Sequence, residues 1–111
     1  MTTSPEHRIE TRLNLEATIF LEMLSDQTDI LMCNSLDLSA TGLQVLVDDE
    51  IETGSIVRLC IDLAKRDPIY LVAEVMWVRP DHKEEATRLG LSLFESDDIG
   101  AWKELVAEML N

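Results

Sequence analysis

The chain is 111 residues long and carries 22 acidic against 9 basic residues, for a formal net charge of −13. This balance argues against general nucleic-acid binding, which depends on neutralisation of phosphates by Lys and Arg. Hydrophobic residues make up 46% of the chain, as in a globular domain, and no apolar run approaches the roughly 18 residues that span a bilayer. We therefore expect a single domain without membrane insertion. Because the first residues lack the basic and apolar regions of a secretory signal, we also expect a cytoplasmic protein.

Alternation of apolar and polar residues predicts a series of short β-strands. In chain order, the predicted strands cover residues 13–24, 30–37, 42–47, 55–63, 69–79 and 89–94. Their inward faces are apolar, as Ile19 and Leu21 illustrate in the first strand. Polar turns separate most of the strands, at residues 25–29, 48–54, 65–68 and 80–85.

The periodicity changes after the last strand. An apolar stripe recurs at helical spacing in Ile99, Trp102, Leu105, Val106 and Met109. This stripe predicts a helix over residues 96–110, with Ser96 as its N-cap and with Asp97 and Asp98 complementing the helix dipole. Short strands followed by one helix predict a mainly β domain, an antiparallel barrel over residues 13–94 with a helical lid.

The cysteines and histidines do not form a recognisable reactive or metal-binding pattern. Cys33 and Cys60 each lie in an apolar strand without C-x-x-C spacing, so we expect buried free thiols. His7 and His82 lie in polar segments, and neither has a nucleophile or a carboxylate pair at a recognisable spacing. We expect no metal site, no cofactor and no enzymatic activity.

Two arginines stand out near the N-terminus of this acidic chain. Arg8 and Arg12 lie four residues apart. A guanidinium group grips phosphates bidentately, stacks on flat rings and reads the O6/N7 edge of guanine. The simpler interpretation is that both arginines are solvated charges beside neighbouring glutamates.

Asp37, Ser39 and Gly42 form a second polar cluster. On an extended chain the carboxylate and the hydroxyl share one face, and Leu38 between them points inwards. An ionised Asp only accepts hydrogen bonds, which suits the N–H donors on the Watson–Crick edge of guanine. The cluster also fits a structural role, in which Asp37 or Ser39 caps a turn and Gly42 adopts a positive φ.

The R-x-x-x-R and D-x-S-x-x-G patterns together resemble the two signatures of the PilZ domain, the bacterial receptor module for cyclic di-GMP. The segments at residues 54–59, 73–78 and 89–94 are similar to further strands of that family, so the resemblance covers nearly the whole chain. It implies a six-stranded antiparallel barrel with a C-terminal helix. It also implies that Arg8 and Arg12 contact the phosphates and guanines of cyclic di-GMP from a mobile N-terminal segment, residues 1–12, which wraps over the barrel mouth.

Three further residues are candidate ligand contacts. Trp77 and Arg79 share one face of a strand. They form either an aromatic wall with a third guanidinium for the ligand, or a Trp packed under the helix beside an Arg at a strand end. His7 precedes the first motif arginine, where many PilZ domains carry Arg. This departure leaves open whether one cyclic di-GMP or an intercalated pair binds, and we expect one.

The resemblance implies a stand-alone receptor for a bacterial second messenger. Such a protein binds cyclic di-GMP, orders its N-terminal segment and signals to a protein partner, which the sequence does not identify. The family's roles point to motility or biofilm control. The rival hypothesis is a nucleotide-independent interaction module of the same fold that acts through its acidic surface.

Overall fold

The structure is a computed structural model, and it describes residues 17–24, 30–64 and 66–110. These residues form six β-strands and one α-helix. The elements are β1 (Ala17–Met23), β2 (Ile30–Ser39), β3 (Gly42–Val47), β4 (Ile56–Leu63), β5 (Ile69–Asp81), β6 (Ala86–Leu93) and α1 (Ile99–Leu110).

The six strands close into a barrel in the order β1-β2-β3-β6-β5-β4, with β4 pairing back onto β1. All six pairings are antiparallel. Closure leaves no sheet edge unpaired within the barrel, and alternate residues along each strand point into it or out of it. The predicted mainly β fold, a six-stranded antiparallel barrel with a C-terminal helix, is confirmed.

Apolar residues fill the barrel interior as the alternation predicts. Ile19 and Leu21 of β1 are buried, and β4 alternates buried Val57, Leu59 and Ile61 with exposed Arg58 and Asp62. Cys33 is also buried, and burial raises the pKa of its thiol to about 12. Both cysteines are free, but Cys60 is only half-buried because it points to the outside of β4.

Helix α1 packs its predicted stripe against the core. Trp102 is fully buried, Leu105 and Val106 are nearly so, and Ile99 and Met109 pack at the margin. The Trp102 indole Nε1–H donates a hydrogen bond of 2.9 Å to the backbone oxygen of Ser39, which attaches the helix to the end of β2.

The start of the helix was predicted wrongly. It begins at Ile99 and not near Ser96. Ser96 is not the N-cap, because its hydroxyl is buried without a hydrogen-bond partner among the described residues. Asp98 directly precedes the helix, and its carboxylate accepts a hydrogen bond of 2.9 Å from the backbone N–H of Tyr70. The side chain therefore joins the start of the helix to β5.

Other boundaries differ less from the prediction. Strands β5 and β6 extend to Asp81 and Ala86 and form a longer hairpin than the polar sequence suggested. Asp81 stabilises this hairpin by accepting hydrogen bonds from the backbone N–H of Glu84 and from Arg88. Residues 13–16 of the first predicted strand lie outside the described residues. Within the described part of the chain, no helix is long and apolar enough to cross a membrane.

Candidate functional site

The residues of the second motif lie on the outer wall of the barrel. Asp37, Ser39 and Gly42 line a cavity of about 280 Å³ together with Gln44, Met76, Trp77 and Gly90, and Leu38, Leu43 and Leu91 border it. We call this cavity the Asp37–Trp77 groove. It crosses strands β2, β3, β6 and β5, and so lies on the wall and not at the barrel mouth.

Strand register explains why these residues meet. Asp37 pairs with Gln44, Gln44 with Gly90, and Gly90 with Trp77, so the four stand in one row across four strands. The next row runs through Ser39, Gly42, Ser92 and Glu74. Residues paired across neighbouring strands point to the same face of a sheet. The row therefore places Asp37 at one end of the groove and Trp77 at the other.

Two β-bulges turn the functional side chains outwards. Register shifts between Ser35 and Asp37, and again between Val75 and Trp77. Each bulge inserts one extra residue and reverses the inside–outside phase of the strand beyond it. Without the bulge in β2, Asp37 would share the inward phase of buried Cys33. Without the bulge in β5, Trp77 would point inwards like Val75.

Ser39 closes the β2–β3 hairpin. Its hydroxyl accepts a hydrogen bond of 3.1 Å from the Gly42 backbone N–H and donates one of 3.2 Å to the Gly42 carbonyl oxygen. The predicted structural role of Ser39 is thus confirmed, whereas the predicted positive φ of Gly42 is wrong, because Gly54 is the described glycine with positive φ. Gly42 is needed for a different reason. A Cβ there would overlap the backbone oxygen of Leu91 in β6.

Asp37 has a different environment from Ser39. It is half-buried, and its Oδ1 atom is buried without a hydrogen-bond partner among the described residues. It does not cap the turn, contrary to one of the sequence-based interpretations. A buried acceptor without a donor costs free energy, on the order of 1–3 kcal/mol. Asp37 therefore offers an unused acceptor to a donor entering the groove.

Trp77 and Arg79 form a layered wall on the opposite side. The Trp77 ring lies against Gly90, where a Cβ would overlap the ring. The Arg79 guanidinium carbon lies 4.6 Å from the centroid of the Trp77 ring, within the range of a cation–π contact. Trp77 therefore belongs to the groove wall, and the tryptophan buried between the helix and the barrel is Trp102 of α1 itself.

The two arginines on this wall differ in their partners. Arg88 pairs with Arg79 across β6 and β5, and its guanidinium contacts Asp81 at 2.9 Å. This hydrogen bond lowers the pKa of Asp81, with a further contribution from the Glu84 backbone N–H. Arg79 has no carboxylate partner among residues 17–24, 30–64 and 66–110. Its positive charge is thus available to an anionic group above the groove.

The remaining candidates cannot be placed beside the groove from this structure. His7, Arg8 and Arg12 lie outside the described residues. Conversely, the sequence prediction missed Gln44, Met76 and Gly90. Gln44 and Gly90 join the site because strand pairing places them between Asp37 and Trp77 in one row, and Met76 is the extra residue of the β5 bulge. Within the described ranges, no group of three or more His, Cys, Asp or Glu side chains could hold a metal ion.

Sequence comparison decides the family. The profile of the PilZ domain matches residues 6–110, which is nearly the whole chain. The chain belongs to the PilZ family. This family binds cyclic di-GMP. No curated protein matches the chain in sequence.

Solved structures share the PilZ fold. The inhibitor of motility MotI/DgrA of Bacillus subtilis superposes with a TM-score of 0.67 at 21% identity, over 83% of this chain and 46% of that one. This PilZ protein thus spans about half the length of the Bacillus protein. The PilZ domain of YcgR from Escherichia coli, solved with cyclic di-GMP, gives a TM-score of 0.65 at 15% identity, over 84% of this chain and 81% of that one.

Proposed function

We propose that this PilZ protein is a receptor that binds cyclic di-GMP at the Asp37–Trp77 groove and passes the signal to a protein partner. The observation that carries the proposal is the buried, unpaired Oδ1 of Asp37, which lies in one row with Trp77 on the outer wall. A YcgR PilZ domain of the same fold was solved with this dinucleotide. No described feature of the groove indicates catalysis.

Asp37 gives the groove its base preference. A carboxylate accepts hydrogen bonds and donates none, so it pairs with the adjacent N1–H and N2–H donors of guanine. The N1 atom of adenine is an acceptor and would face the carboxylate unpaired. An unpaired buried acceptor is costly, so Asp37 favours guanine over adenine.

The groove has room for one part of the ligand. Its volume of about 280 Å³ is just below the range of ligand pockets, which measure about 300–1,000 Å³. One guanine therefore lies between Asp37 and the Trp77–Arg79 wall, and the phosphates and the second guanine extend beyond it. We assign these outer parts to Arg8 and Arg12, so that residues 1–12 become ordered over the outer wall when the ligand binds.

Charge supports a single ligand per chain. Arg79 supplies one unpaired guanidinium on the wall. His7 takes a position where a further arginine would be required to hold a second dinucleotide. Histidine is neutral or only partly charged near neutral pH, so it is a poorer phosphate ligand than arginine. We propose a stoichiometry of one cyclic di-GMP per chain.

The rival is a PilZ-fold module that acts without a nucleotide through its acidic surface, and the net charge of −13 favours it. Calorimetric titration of the intact chain with cyclic di-GMP and cyclic di-AMP separates the two. The receptor proposal predicts saturable binding of about one equivalent of cyclic di-GMP and much weaker binding of cyclic di-AMP. Absence of heat with either dinucleotide at high micromolar concentrations, or equal affinity for both, contradicts it.

A further inference from the structure

The barrel carries a second distinctive surface on the wall formed by β2, β1, β4 and β5. Met32 pairs with Phe20, Phe20 with Cys60, and Cys60 with Tyr70, so one row across four strands is almost entirely apolar. All four side chains point outwards, since their neighbours Ile19, Leu21, Leu59 and Ile61 fill the core. We call these four residues the Met32–Tyr70 row.

This row is unusually open to solvent. Met32 is 69% exposed and Tyr70 53% exposed, at the two ends of the row, and Phe20 and Cys60 between them are half-buried. In the adjacent row Ile30, 62% exposed, extends the apolar surface beside Met32. A contiguous apolar patch surrounded by polar residues is typical of an interaction site, whereas single exposed apolar residues are ordinary.

The charges around the row are mostly negative. Asp62 lies on the same outward face of β4 as Cys60, and the Asp98 carboxylate contacts the backbone of Tyr70. The thiol of Cys60 raises the pKa of Tyr70, as do desolvation and the carboxylates of Asp62 and Asp98. Arg58, on the same outward face of β4 as Cys60, is already paired with Glu22 at 3.5 Å.

We propose that the Met32–Tyr70 row is the docking surface for the signalling partner, and that this partner is a protein with an apolar contact surface flanked by lysines or arginines. Apolar side chains on the partner cover Met32 and Tyr70, and its basic residues lie against Asp62 and Asp98. This inference names the partner surface of the receptor proposed above and rests on that function.

Charge argues against a second copy of the chain as the occupant. A twofold interface would place the row and its acidic surroundings against the same residues of the other copy. Each copy carries a net charge of −13, and Arg58 beside the row is neutralised by Glu22. Like charges across an interface are repulsive, whereas a basic partner gains both attraction and faster association.

The row is also connected to the ligand groove through two strands. Strand β2 carries Met32 before its bulge and Asp37 after it, and β5 carries Tyr70 before its bulge and Trp77 after it. The bulges rotate these strands so that each contributes side chains to both surfaces. A partner on the row therefore contacts the same two strands that hold the ends of the groove.

The test uses defined peptides and two methionines as probes. Met32 lies in the row, and Met76, 52% exposed, lies in the groove and serves as the matched control. The intact chain, labelled at its methionine methyl groups, is titrated without nucleotide against three helical peptides: one with leucines flanked by lysines, one with leucines flanked by glutamates, and one with lysines and serines only. The proposal predicts saturable shifts of the Met32 signal, and not of the Met76 signal, with the lysine–leucine peptide alone.

Variants sharpen the result. Met32→Glu should weaken binding of the lysine–leucine peptide by about tenfold or more, and Met76→Glu should leave it unchanged. Tyr70→Ser serves as a second row variant if Met32→Glu does not fold. The proposal is overturned by equal binding of the glutamate–leucine peptide, by a response at Met76 alone, by concentration-dependent Met32 shifts without peptide, or by contacts between Met32 and residues 1–16 of the same chain.

Failure of the docking proposal can be distinguished from failure of the receptor proposal. Calorimetry of Met32→Glu with cyclic di-GMP should give the affinity of the parent protein, because Met32 lies outside the groove. If the parent protein binds cyclic di-GMP but not the lysine–leucine peptide, only the docking surface is overturned. Peptide binding at the row without any nucleotide binding supports the surface and contradicts the receptor.

Discussion

The indole ring of Trp77 lies so close to Gly90 of the neighbouring strand that a Cβ at Gly90 would overlap it. The glycine thus provides a flat surface on which the tryptophan lies, and Arg79 lies above the same ring. This wall of the groove therefore depends on two features: Gly90 of β6 has no side chain that would displace the ring, and the bulge in β5 turns Trp77 outwards.

Gly90→Ala should displace Trp77 and destabilise the protein by about 1–3 kcal/mol, the usual cost of overpacking. Urea unfolding measures the change. In a Trp77→Ala background the ring is gone, so the same substitution should cost much less. An equal cost in both backgrounds would show that the ring does not lie on Gly90. Because the displaced Trp77 ring no longer forms the groove wall, the affinity of Gly90→Ala for cyclic di-GMP should also fall.

Gly42→Ala should also destabilise the barrel, for a steric reason unrelated to φ. The new Cβ would overlap the Leu91 carbonyl oxygen, and a backbone atom cannot swing aside as a side chain can. Gly100→Ala is the matched control. It lies in α1 with open space around it, and should stabilise the protein by about 0.5–1 kcal/mol. Thermal unfolding of both variants measures the two effects. An unchanged melting temperature in Gly42→Ala would contradict the close packing of β3 against β6.

Truncation of Asp37 and truncation of Ser39 should affect stability differently. Ser39→Ala removes two hydrogen bonds to Gly42 and should lower stability, by about 0.5–1.5 kcal/mol per bond at most. Asp37→Ala removes none among the described residues, so the melting temperature should hold. Binding of cyclic di-GMP should weaken in Asp37→Ala, and its preference over cyclic di-AMP should shrink. A clear loss of stability in Asp37→Ala would assign Asp37 a structural role instead.

Much of the fold follows from the sequence, because period-2 alternation directly encodes which residues fill a barrel. Strand β3 was predicted to the residue, and the inward sets of β1 and β4 were predicted correctly. The helix start was not: the helix begins at Ile99, and the Asp98 carboxylate before it accepts a hydrogen bond from the backbone N–H of Tyr70, a contact distant in sequence. Local capping preferences contain no information about that partner.

The groove was predictable only in part. The D-x-S-x-x-G pattern identified Asp37, Ser39 and Gly42, but the opposite wall depends on the pairing of β6 with β3 and β5. Gln44 and Gly90 enter the site through that register, and nothing local distinguishes them from other strand residues. Bulges are similarly hard to predict, since an extra residue looks like ordinary alternation until the partner strand is known.

Hydrogen exchange tests the proposed role of residues 1–12. If this segment closes over the ligand, its amides should gain protection when cyclic di-GMP is added, whereas core amides such as those of Leu59 and Ile61 should change little. The comparison requires only the intact chain with and without saturating ligand. Equal exchange in both states would mean that binding, if present, does not order this segment.

The most direct measurement is calorimetric titration of cyclic di-GMP into the parent, Arg8→Ala, Arg12→Ala and a control, Arg66→Ala. Arg66 contacts Glu108 at 3.0 Å on the surface, so its removal should leave ligand binding unchanged. A hydrogen bond to a charged group contributes about 1.5–3 kcal/mol, so each motif variant should bind roughly tenfold to a hundredfold more weakly with its fold intact. If the parent binds and both motif variants match it, or if the parent does not bind at all, the account of this protein as a cyclic di-GMP receptor acting through both motifs is contradicted.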